Sequence, residues 1–152
     1  MTTPFVNTVT LNKPLVAAGK IFKGDYSNAQ HYITDVQNEL KEASVDFTPN
    51  KILGIYYDNP QNKKAEELTS FQGVFLQHAN LKLPQGFNKI ILSGNFLYVK
   101  VKGEPMKAIY EGYGALFSYI EKKNVQLKSP AGYQVSTFEN GEITTEIYLE
   151  LA

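Results

Sequence analysis

The side chains able to do chemistry in this 152-residue chain are few in kind. It has no cysteine, no tryptophan and no arginine, so every basic group is a lysine. That excludes disulfides, thiolate nucleophiles, iron–sulfur clusters and Cys-type zinc sites. It also removes the bidentate guanidinium fork for guanine, phosphate or carboxylate. His31 and His78 are the only histidines, and neither has a second ligand at metal spacing. Ser70 and Ser136 have no histidine placed as in a catalytic triad, and Gly24–Asn28 (GDYSN) is not a phosphate loop. Neither a metal nor a cofactor is expected. What remains is a surplus of rings, ten Tyr and nine Phe, with carboxylates among them. Rings around one carboxylate suit an apolar or cationic small molecule, held by stacking, cation–π attraction and a counter-charge.

The rest of the composition narrows the class. Fifteen lysines balance fifteen acidic residues, and a neutral chain with no basic run is a poor nucleic-acid binder. No stretch reaches the ~18 apolar residues of a membrane helix, and the N-terminus lacks a charged start followed by a long apolar run. A cytoplasmic, single-domain protein is expected over residues 1–152.

The elements that must position the rings alternate. Residues 8–23 form an extended segment bent by Pro14 and Gly19. Tyr26, Ala29, Ile33, Val36 and Leu40 recur at steps of three and four, predicting a helix over 26–42, with Ser27 and Gln30 or Asp25 as capping candidates. Strands follow at 51–58 and 68–77, then a connection at 78–90. The second half repeats the plan: a strand at 91–102, a helix over 105–123 opened by Pro105, and strands at 131–138 and 142–151 around Asn140-Gly141. Lys23-Gly24 and Lys102-Gly103 precede the two helices, and Gly54 and Gly132 occupy matching strands. These offsets predict an α+β fold built from a duplicated strand-helix-strand-strand repeat (about 8–77 and 91–151). Its antiparallel sheet carries both helices on one face, with the opposite face curving around a ligand cleft between the repeats. Gly112 and Gly114 in the second helix suggest close packing on the sheet, with a helix kink that opens the cleft as the alternative.

Alternation assigns the faces. Ile143, Thr145, Ile147, Leu149 and Leu151 belong under the helices, leaving Glu146 and Tyr148 on the cleft face. Leu97, Val99 and Val101 face the helices; Phe96, Tyr98 and Lys100 face away. Ile55 and Tyr57 point to the helices and Tyr56 to the cleft, joined by Phe71, Gly73 and Phe75. Tyr133, Val135 and Thr137 are taken as helix-facing. A three-residue loop, Glu139-Asn140-Gly141, keeps that apolar set together and pairs Gln134 with Glu146. The expected cleft residues are thus Tyr56, Phe71, Phe75, Phe96, Tyr98, Gln134, Glu146 and Tyr148.

The segment KILGIYYDNPQNKKAEELTSFQGVFL resembles the YYDNP-containing stretch of the GyrI-like small-molecule-binding domain, with Lys64 at the pattern's second proline. The resemblance runs from about Leu15, through KLPQGFNKIILSGNFLYVKVKGEPMKAIYEGYGALFSYI, to the closing hairpin at Leu151. That family supplies bacterial gyrase-inhibitory proteins and the effector-binding half of multidrug-responsive transcription activators. It implies two repeats with a ligand cleft between them and an acid deep in the cleft. At the matching place in the penultimate strand stands Gln134, which keeps hydrogen bonding and loses the charge; Glu146 matches an acid carried by some members in the last strand.

Nothing in the chain resembles the DNA-binding helix-turn-helix of those activators and there is no room for one, so a stand-alone binding protein for a lipophilic or cationic molecule is expected. Glu146 would be the counter-charge. An alternative is a hydrolase of reactive small electrophiles, with Glu146 as general acid/base and Tyr98 or Tyr148 assisting. A third is an inhibitor that contacts a protein partner such as gyrase. No direct nucleic-acid or membrane partner is expected.

Overall fold

The computed structural model describes residues 4–78 and 81–152. Residues 1–3, and residues 79–80 inside the connection expected at 78–90, lie outside the described residues. Six strands, β1 (Val6–Lys23), β2 (Lys51–Tyr56), β3 (Thr69–Phe75), β4 (Asn88–Lys102), β5 (Gly132–Glu139) and β6 (Glu142–Glu150), accompany two helices, α1 (Ala29–Glu42) and α2 (Pro105–Lys123). All pairings are antiparallel, in the order β1-β3-β2-β5-β6-β4, and β4 returns to β1 to close a barrel. The fold is α+β with both helices on one side of the sheet, as expected, but the sheet is not open. Its second face, expected to curve around the cleft, is the apolar inside of the barrel. Closure is the work of β1, whose register against β4 shifts between Leu11 and Leu15, bracketing Pro14. The bend lets one strand pair with β4 and then with β3.

Three apolar clusters hold the layers. Leu53, Ile55, Phe71, Phe75, Leu92, Phe96, Val135 and Tyr148 fill the barrel. Outside it, Ala108 and Leu116 of α2 pack on Leu97, Val99, Ile147 and Leu149. Ile33, Val36 and Leu40 of α1 pack on Val74, the spacing of three and four that the sequence displays. Each fully buried Leu, Ile, Val or Phe contributes roughly 1.5–3 kcal/mol. No helix among the described residues is long and apolar enough to cross a membrane.

The helix ends follow local chemistry. A 3-10 turn at Tyr26–Asn28 precedes α1, which therefore begins at Ala29 rather than Tyr26. The Asp25 carboxylate accepts from the Ser27 amide at 3.0 Å, and the Ser27–Gln30 capping box does not form. Glu104 caps α2 by accepting from the Met106 and Lys107 amides at 3.1 and 2.9 Å, with Pro105 in the first turn. Gly112 meets the sheet: a Cβ there would sit 2.8 Å from Ile147 Cδ1.

The β5–β6 hairpin corrects the expected register. Its turn is Asn140-Gly141 alone, with φ of 53° and 78°, the pair of positive values that a two-residue turn requires. Glu139 pairs with Glu142, Val135 with Glu146 and Gln134 with Ile147. The three-residue loop fails because its premise fails: Tyr133 and Val135 pack into the barrel, with Tyr148, and not under the helices. Gln134 and Glu146 therefore lie on opposite faces of the sheet.

Candidate functional site: a tyrosine-walled cleft

The outer face of β2 and β5 is built from two tight cross-strand pairs, Tyr56 with Gly132 and Gly54 with Gln134. The two glycines make room for rings. A Cβ on Gly54 would collide with the Tyr56 ring, and one on Gly132 with the Tyr113 hydroxyl. Tyr113 and Phe117, stacked with centroids 5.9 Å apart, reach over from α2. Tyr26, from the turn before α1, meets Tyr56 edge to face at 4.9 Å. These side chains, with Tyr57, line a cavity of about 970 Å³. Gln134 lies in its wall, and the loop from Asp58 to Lys63 forms its rim.

The rim is fastened from both sides. The Tyr26 hydroxyl donates to the Thr69 carbonyl at 2.9 Å, lies 3.2 Å from the Asp58 carbonyl, and accepts from the Asp58 amide at 3.0 Å. One Asp58 carboxylate oxygen pairs with Lys63 Nζ at 2.8 Å, and the other accepts from the Thr69 amide at 2.7 Å. The lysine and that amide hold the Asp58 carboxyl below its ordinary range, and Asp58 raises Lys63 in return. Deeper in, Gln134 Nε2 donates to the Tyr113 hydroxyl oxygen at 2.9 Å. Burial pushes the Tyr113 phenol up to about 12, against the pull of that donated bond. Burial also raises Tyr56, against a hydrogen bond from Gln72.

A second polar cluster lies inside the barrel. Tyr98 donates to Glu146 Oε2 at 2.6 Å, and the Tyr148 hydroxyl lies 3.4 Å from the same oxygen. The Tyr98 and Tyr148 rings meet at 5.0 Å, and Phe96 packs against Tyr148 at 5.6 Å. Burial raises both phenols far above the ordinary tyrosine value, and the neighbouring carboxylate adds to the rise. Among the described residues no lysine forms an ion pair with Glu146.

The eight residues expected together are thus divided by the sheet. Tyr56 and Gln134 line the outer cleft. Phe71, Phe75, Phe96, Tyr98 and Tyr148 belong to the barrel interior, and Glu146 joins them through its hydroxyl partners. The correction for β2 follows from its register against β3: Ile55 pairs with Phe71, and Tyr56 with Ser70, so Ile55 turns inward and Tyr56 cannot share a face with Phe71. The face assignments for β3, β4 and β6 agree with the structure. Sequence reasoning passed over Tyr26, Tyr113 and Phe117. The signal for Tyr113 was present in Gly132, a strand glycine that marks the close approach of another group.

Six antiparallel strands in a closed barrel, two helices on its outside and a ring-lined cleft beside them define a compact ligand-binding module. The chain matches the GyrI-like small molecule binding domain over residues 8–152. It belongs to that family. No curated protein sequence matches it. Among solved structures it is similar to the EcmrR C-terminal domain, at 14% identity and a TM-score of 0.76, covering 99% of each chain. It also resembles a hydrolase encoded by lin2189 from Listeria innocua, at 7% identity and a TM-score of 0.66, covering 97% of this chain and 91% of that one. A third is SAV2435 bound to tetraphenylphosphonium, at 13% identity and a TM-score of 0.55, covering 99% and 94%. At these identities the likeness is one of fold.

Proposed function

We propose that this protein binds a small, largely apolar molecule in the outer cleft between α2 and the Asp58–Lys63 rim. The observation that carries this reading is the cavity of about 970 Å³ walled by four tyrosines and a phenylalanine. Its volume suits a drug-sized molecule, and its rings offer stacking surface with hydroxyls to orient a ligand. Membership of a small-molecule-binding family supports it, as does a fold shared with a protein bound to tetraphenylphosphonium.

The same reading takes residues 8–77 and 91–151 as two repeats. The strand order is unchanged when β1, β2 and β3 are exchanged for β4, β5 and β6. Tyr56 and Gln134 then hold equivalent places, as do Gly54 and Gly132, around the central Ile55–Tyr133 pair. The experiment is titration with Nile red, an uncharged fluorophore. Saturable binding, weakened at least several-fold in Tyr56→Ala and in Phe117→Ala, is expected. Affinity indifferent to both changes would remove the cleft as the site.

A second reading, hydrolysis of a reactive small electrophile, has one observation in its favour: the 2.6 Å bond from Tyr98 to Glu146. A phenol held on a carboxylate can deliver a proton to a leaving oxygen while the carboxylate takes one from water. The pair points into the barrel, so a substrate for it would enter there and not through the cleft. Turnover of styrene oxide that disappears in Glu146→Gln would support this reading; no turnover by the wild-type protein would end it.

A further inference from the structure

The cleft's polar groups specify its ligand further, an inference that rests on the cleft being the binding site. Among the described residues lining it, Asp58 and Lys63 are the only charged ones, and they neutralise each other at 2.8 Å on the rim. Glu146, the acid expected to balance a cation, is on the far face of the sheet. What the wall does present is Gln134 bonded to Tyr113 at 2.9 Å. With the amide nitrogen donating to the phenol oxygen, the phenol hydrogen and the amide carbonyl remain for a ligand. Were the amide turned over, the phenol oxygen and the amide N–H would remain instead. Either way one donor and one acceptor stand side by side, carrying no net charge and partly withdrawn from water.

We infer that the cleft selects an uncharged aromatic molecule with an amide-like edge, a donor and an acceptor on adjacent atoms, and discriminates against cations. An ammonium brought to this wall would lose hydration without meeting a counter-charge. A carboxylate could take the one donor but would face the amide carbonyl or forgo it. A carboxamide, lactam or similar edge satisfies both groups while its ring lies among the tyrosines.

The test displaces Nile red from the wild-type protein with 2-naphthamide, 2-naphthoate and 2-naphthylmethylammonium, which share one ring system. The amide is expected to bind roughly 5- to 100-fold more tightly than either ion, the range for two satisfied hydrogen bonds. Tyr113→Phe should cost the amide several-fold and leave the ammonium unchanged. Gln134→Glu should reverse the ranking in favour of the ammonium. Equal affinities, or an ammonium preference in the wild type, would overturn this inference while Nile red binding leaves the cleft intact as the site. Failure of Nile red and of all three probes to bind would overturn both.

Discussion

Two glycines in one helix should respond in opposite ways to the same substitution. Gly112 and Gly114 sit two positions apart in α2, so alanine gives each about the same gain in helix propensity, ~0.8–1 kcal/mol. At Gly114 an added Cβ meets nothing within 4 Å, and the gain should appear whole. For a chain of this size it corresponds to a rise in Tm of about 2–4 °C. At Gly112 the Cβ would lie 2.8 Å from Ile147 Cδ1 and 3.4 Å from Val99 and Val101 Cγ1. Val99 and Ile147 are fully buried, so the helix must lift or Ile147 must leave its rotamer, at a cost of roughly 1–3 kcal/mol. Gly112→Ala should therefore range from neutral to about 2 kcal/mol less stable than wild type, by the difference of those two effects. Urea and thermal denaturation of both variants measure the gap. Ile147→Val, which removes the colliding methyl, should relieve the strain in a double-mutant cycle. If Gly112→Ala stabilises as much as Gly114→Ala, and the cycle with Ile147→Val is additive, the tight seating of α2 is refuted. The seating matters for the cleft because Tyr113 and Phe117 ride on the same helix.

Other consequences are open to measurement. The phenols of Tyr26, Tyr56, Tyr57, Tyr98, Tyr113, Tyr133 and Tyr148 are all raised, chiefly by burial. Their folded values exceed the unfolded value of about 10, so their contribution is complete below that pH and is lost as pH rises through the folded values. The urea midpoint should fall between pH 9 and pH 11 as tyrosinate absorbance grows; a flat midpoint would contradict the burial. Tyr26→Phe removes the hydroxyl that fastens the rim at three points and should cost about 1–3 kcal/mol. Faster amide exchange at Asp58 would be the accompanying sign, and unchanged exchange would argue against a fastening role. Gly132→Ala should displace the Tyr113 phenol and weaken Nile red binding several-fold, while circular dichroism reports an intact barrel; unaltered binding would show that the phenol's position is immaterial.

The sequence revealed some elements and concealed others for identifiable reasons. Helix periodicity was legible because α1 and α2 each have one buried stripe and one exposed face. Faces were legible in β4 and β6, where aliphatics under α2 alternate with aromatic or charged residues. They were not legible in β2, where closure places apolar residues on both sides of the sheet, nor in β5, whose apolar set, Tyr133 and Val135, faces the barrel interior and not the helices. In β2, Ile52 faces α1 while Leu53 and Ile55 fill the barrel. In β3, Ser70 and Gln72 are buried on the outer side and bonded to each other at 3.2 Å. Alternation of hydrophobicity cannot tell inside from outside where neither side is wet. The Asn-Gly signal at 140–141 was sound by itself, and face matching overruled it only because the outward face of β5 was taken to be its inward one. The separation of Gln134 from Glu146 follows from that inversion, and the separation of Tyr56 from the other rings follows from the inversion of β2.

The bent N-terminal strand also sets how the chain must fold. Val6 pairs with Val99 and Gly19 with Asn88, while Ala17 pairs with Phe75 and Lys23 with Thr69, so β1 finds its partners across roughly seventy to ninety residues of chain on β4 and about forty-five to sixty on β3, the kind of separation that slows folding to milliseconds or seconds. Until it arrives, β3 and β4 each present an unpaired edge, and edges are where strands of different molecules join. The same strand that abolishes edges in the finished barrel therefore leaves two of them open during its assembly. Aggregation during refolding should depend more on how quickly residues 6–23 dock than on anything in the cleft.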